Sequence, residues 1–175
     1  MRQFRLGVTA LLAVYGLVLL ASADSWSFID NVNLPVHETG HLLFAPFGDT
    51  MQLLGGTLLQ LLFPLVFAGY FTLQRDEHAA SVAVWWVGQN CLNIARYMAD
   101  AQPMDLPLVG GGEHDWNILF AQWNVLGQSL QYAQLTRGFG VLVMLVACVW
   151  GGFEALNRTP RAPASQRRYN HGRRS

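Results

Sequence analysis

Hydrophobic residues run through this chain in four stretches that carry no charge: Leu6 to Ala23, Met51 to Leu73, Ala79 to Ala95 and Gly138 to Phe153. A helix of about twenty apolar residues crosses a bilayer, so the pattern predicts four transmembrane helices. The two shorter stretches reach spanning length if Tyr97 and Met98 extend one, and if Arg137 and Glu154 snorkel at the ends of the other. Two weaker patterns lie between them. Asn33 to Pro46 has a capping residue at its start, a proline tolerable in a first turn and a proline that ends it, which predicts about three turns of helix. That is too short to span and apolar enough to enter the membrane as a re-entrant or interfacial helix. Trp116, Leu119, Phe120, Trp123, Leu126 and Leu130 form an amphipathic stripe, which predicts an interfacial helix.

The expected fold is therefore all-α: an integral membrane protein with about four transmembrane helices, a short re-entrant or interfacial helix and an interfacial amphipathic helix. Residues 1–157 form one helical membrane domain. Residues 158–175, rich in arginine and proline, read as a disordered tail. A basic start, an apolar run and Ala21-Ser22-Ala23 also resemble a cleavable secretory signal. We read the first helix as retained, with cleavage as the alternative.

Charge orders these helices. All eleven basic residues are arginine. With four crossings nine of them share one side with three acids, while the opposite side receives eight acids and only Arg96 and Arg137. The positive-inside rule makes the arginine-rich side cytoplasmic, which in a bacterium puts the other face of the inner membrane toward the periplasm. The formal net charge of zero leaves no basic field to attract nucleic acid, and membrane lipids are the expected surroundings. Only two cysteines occur, both in apolar stretches, so a metal site must use nitrogen and oxygen.

The predicted short helix contains His37-Glu38-Thr39-Gly40-His41. Histidines four apart project from one helical face and can grip one zinc ion, with the adjacent carboxylate as general base. Zinc lowers the pKa of bound water, and Glu38 takes its proton and passes it to the leaving group. Ionisable groups in an apolar helix beside a membrane are costly and mark function. From Val36 to Phe44 the chain resembles the polytopic membrane zinc metalloproteases, in particular the site-two protease class. The resemblance implies His37 and His41 as Zn2+ ligands, Glu38 as base, and cleavage of a peptide or membrane-protein substrate in or near the membrane. The aspartate motifs that supply a third ligand in that class do not occur here.

A catalytic zinc site needs three protein ligands, and two segments offer the third. Asn90, Asn93, Tyr97 and Asp100 line one face of the third crossing. Under the resemblance Asp100 is the natural ligand, and Asn90 or Asn93 could polarise a substrate carbonyl. The glycine run 110–112 is followed by Glu113, His114 and Asp115, which it frees to fold close to another element. Asp115 also suits a helix cap, whereas His114 has no such structural use and ranks first, Asp100 next. His78 and His171 fall on the arginine-rich side and are excluded. The expected function is a zinc-dependent membrane hydrolase, most simply a metallopeptidase. The rivals are a zinc hydrolase of lipid amide or ester bonds and a non-catalytic zinc protein for transport or sensing.

Overall fold

The computed structural model describes residues 1–22, 26–107 and 114–157, and among these its only regular elements are helices, with no strand. The helices are α1 (Arg2–Ala21), α2 (Asp30–Phe44), α3 (Asp49–Leu73), α4 (Glu77–Ala99), α5 (Asp115–Gln122) and α6 (Ser129–Asn157). Residues 158–175, Asp24 and Glu113 lie outside the described residues. Three helices, α1, α3 and the one ending at Asn157, are long and apolar enough to cross a membrane. They show large apolar side chains to the exterior, among them Leu11 and Leu17 on α1, Val66 on α3, and Leu142 and Val149 on α6. An apolar exterior of that extent suits lipid and not water.

The third apolar stretch became α4, and its environment explains its polar content. It lies between α3 and α6 and next to α1, so thirteen of its residues are buried, Gln89 and Asn90 among them. Polar side chains on such a helix face protein. Close contact with α6 runs through paired glycines: a Cβ on Gly88 would meet Gly140 O at 2.7 Å, and one on Gly140 would meet Gly88 O at 2.7 Å. At one end of the bundle Arg5 pairs with Asp76 in the α3–α4 turn at 3.1 Å, and Gly151 of α6 sits against Ser81 and Thr9. His78 belongs there, its Nε2 3.0 Å from Arg5 O and 3.1 Å from Thr9 Oγ1.

The other end is built around α2. It starts beside the middle of α4, where Asn33 donates to Gln89 Oε1 at 2.9 Å and Trp86 Nε1 donates to Asn33 Oδ1 at 2.9 Å. Gln89 lies about 15 Å from the end of α4 at 1.5 Å per residue. From there α2 rises across α3 to the turn Ala45–Phe47. Asn33 is thus no helix cap. The helix begins three residues earlier, and Asn33 is spent on joining α2 to α4, with Pro35 inside the helix.

The expected interfacial helix is also revised. α5 is only eight residues long, and Trp116, Leu119 and Phe120 are buried with Ile94, Met98 and Ala101 of the α4 end. This half of the stripe meets protein, while Trp123 and Leu130 stay exposed. The chain then turns at Asn124, whose φ is 57°, and Ser129 already belongs to α6.

Candidate metal centre

His37 and His41 stand one turn apart on α2, and α3 fixes both. Gly40, Gly55 and Gly56 let the two helices touch: a Cβ on Gly40 would run into Gly55 O, and one on Gly56 would lie 2.6 Å from the His37 ring. The His37 imidazole therefore packs flat against bare backbone. Each far ring nitrogen then meets an acceptor. His41 Nδ1 lies 2.8 Å from the Gln52 carbonyl, which can only accept. His37 Nδ1 lies 3.1 Å from Gln60 Oε1, and Gln60 Nε2 in turn donates to Asn93 Oδ1 at 2.8 Å. The Gln60 amide is thereby oriented with its oxygen toward His37.

Both imidazoles consequently carry hydrogen on Nδ1 and aim Nε2 at a shared point. Asp115 occupies that point from the opposite side. Its Oδ2 is 3.1 Å from His37 Nε2 and 3.3 Å from His41 Nε2. One ligand atom from each of the three residues lies within 4.8 Å of the others, and His37 and Asp115 are buried while His41 is half-buried. The donor set, two imidazole nitrogens and one carboxylate oxygen, could hold a metal ion. The second-nitrogen hydrogen bonds are those that orient metal-ligating histidines.

Without a metal the cluster is a hydrogen-bonded His–Asp–His group. The hydrogen bond to Asp115 holds the His41 imidazolium up to about 9, against burial. Burial works to raise the Asp115 carboxyl, but the hydrogen bonds from His37 and His41 outweigh it and hold the group below the usual carboxylate range. Glu38 is exposed on α2, and its charge also favours the protonated form of His41.

The structure divides the candidate third ligands. Asp115 joins the histidines; His114 and Asp100 form a separate pair. His114 Nε2 lies 3.2 Å from Asp100 Oδ2, and Asp100 also accepts from the Asp105 and Leu106 N–H groups at 2.9 and 3.1 Å. The N-cap of α5 is His114, not Asp115: its Nδ1 accepts from Asn117 N–H at 3.2 Å. With Nδ1 accepting and Nε2 donating, His114 is a neutral imidazole, and burial lowers its pKa. So His114 has the structural use that its sequence context hides, and capping by it releases the Asp115 carboxylate toward α2. The Tyr97 hydroxyl accepts from Asp115 N–H at 3.1 Å, and its ring packs on His114 with centroids 4.2 Å apart.

Asn93 reaches the cluster only through Gln60, and Asn90 donates to Trp86 O at 3.2 Å. Gln60 itself escaped the sequence reading. Its signal was present: Gln52, Gly56 and Gln60 recur every four residues along the uncharged stretch Met51 to Leu73 and so share one face. No protein-family model, curated protein or solved structure matches this chain.

Proposed function

We propose that this protein is a membrane-embedded zinc-dependent hydrolase, a metallopeptidase, with His37, His41 and Asp115 as the metal ligands and Glu38 as general base. One observation carries the reading: two imidazoles with Nδ1 occupied by acceptors and Nε2 converging on a single buried carboxylate oxygen. A purely structural His–Asp contact requires neither the second histidine nor the matched tautomers. A zinc ion held there supplies a water of near-neutral pKa. Glu38, exposed next to His37, would be the base that takes a proton from such a water and would return it to the leaving amine. Gln60, Asn93 and the Gln52 carbonyl keep the imidazoles from rotating, while His114, Asp100 and Tyr97 hold the Asp115 backbone.

In this reading α4 is a fourth crossing, sheltered by its neighbours, and α2 is re-entrant. The four-crossing arrangement places nine arginines in the cytoplasm and the site toward the periplasmic face of a bacterial inner membrane. Membrane lipids surround it, and a membrane protein or peptide is the substrate. The test uses purified wild type, His37→Ala, His41→Ala and Glu38→Gln, incubated with detergent-solubilised membrane proteins and scored for new N-termini. Glu38→Gln should keep the metal and produce none; the histidine variants should lose both. New fatty acids instead of new N-termini point to the lipid hydrolase. Metal retention with unchanged behaviour of Glu38→Gln points to the non-catalytic protein.

A further inference from the structure

A second feature of the same end lies between α1, α2, α4 and α6: a cavity of about 30 Å³ lined by Arg96 and Arg137. These are the two arginines that the charge pattern separates from the other nine. Arg96 sits in the last turn of α4 and Arg137 in α6, and the fold turns both toward one opening.

Among the described residues neither guanidinium has an acceptor. Asp30 lines the same cavity, but its carboxylate already accepts from Ser27 N–H at 2.8 Å, from Gln89 Nε2 at 3.1 Å and from Asn33 Nδ2 at 3.4 Å. Among the described residues no hydrogen bond or ion pair reaches either arginine, and Arg96 Nε is buried with no partner. A charged donor buried without an acceptor is costly. An anion removes that cost, and two planar guanidinium forks match a phosphate.

We propose that Arg96 and Arg137 bind the phosphodiester of a membrane phospholipid. The cavity has room for about two oxygen-sized groups, as the non-bridging phosphate oxygens require. Arg96 stands three residues from the end of α4, about 4.5 Å by helix rise, which is headgroup depth for a crossing of that length. The helices flanking the opening expose Val18 on α1 and Leu142 and Leu145 on α6, an apolar surface along which acyl chains lie. That surface favours a lipid over a free anion. The inference is independent of the metal, since the cavity and the metal cluster meet only at Asn93.

The test measures binding of the full-length protein in detergent to phosphatidylglycerol, to diacylglycerol with the same acyl chains and to inorganic phosphate, by native mass spectrometry. Phosphatidylglycerol should bind saturably, Arg96→Gln and Arg137→Gln should each weaken it about tenfold or more, and Arg2→Gln at the far end should not. Arg137→Lys, which keeps the charge but loses the fork, should fall between. Equal binding of diacylglycerol, or unchanged binding by Arg137→Gln, overturns the site. Inorganic phosphate competing at the lipid's own concentration overturns the lipid as its source. If Arg96→Gln does not fold, the half-buried Arg137 decides by the same criterion.

Discussion

Three side chains converge near one end of this protein, and each is held by a bond on its far side. The Gln52 carbonyl and Gln60 hold the two imidazoles, and the Tyr97 hydroxyl holds the Asp115 backbone. Outer partners of this kind tune metal affinity, so Gln60→Ala is expected to weaken zinc binding roughly 10- to 100-fold without abolishing it, as read by competition with a chelating dye. His114→Ala removes a cap and leaves Asp100 without its imidazole. Thermal melting is expected to show a loss on the order of 1–3 kcal/mol, with zinc still bound at saturation. A variant that melts like wild type assigns no capping role to His114. At this scale the histidine pair was legible, because i, i+4 spacing fixes a shared face. The choice between His114 and Asp115 was not, because it turns on which of two neighbours caps α5, and only the tertiary placement of that helix decides it.

Helix contacts set where these side chains stand. α2 and α3 approach so closely that backbone meets backbone at Gly40, Gly55 and Gly56. Gly40→Ala must push the helices apart, and overpacking of this kind costs typically about 1–3 kcal/mol. It is expected to lower the melting temperature and to weaken zinc binding more than Thr39→Ala, an exposed neighbour on the same helix. Equal zinc affinity in the two variants contradicts the close approach. The existence of α1, α3, α4 and α6 followed from their apolar runs. The beginning of α2 did not, since Asn33 and Pro35 read as a start when isolated, yet Gln89 and Trp86 recruit Asn33 into the helix interior. The stripe of α5 misled for a related reason: periodicity shows that one face is apolar and leaves open whether lipid or protein covers it.

For the molecule as a whole, the packing separates two ends. Arg5, the α3–α4 turn and the last turns of α6 gather at one end, and His37, His41, Asp115, Arg96 and Arg137 at the other. Reporter fusions after residues 30, 76, 110 and 160 are expected to read outside, inside, outside and inside. An inside signal at 30 or 110 contradicts the four-crossing topology. That α4 could carry Gln89, Asn90 and Asn93 through the bundle was visible as a polar stripe. How far α2 descends beside it was not, because no local pattern records the depth at which a helix begins.

The central claim is that His37, His41 and Asp115 together hold one zinc ion. It is tested most directly by elemental analysis of zinc per chain in the purified wild type, Asp115→Ala and His114→Ala, after loading with excess zinc and exhaustive dialysis. About one zinc in wild type, almost none in Asp115→Ala and about one in His114→Ala is the expected result for a three-ligand site. Full zinc in Asp115→Ala, or its loss in His114→Ala alone, contradicts the assignment.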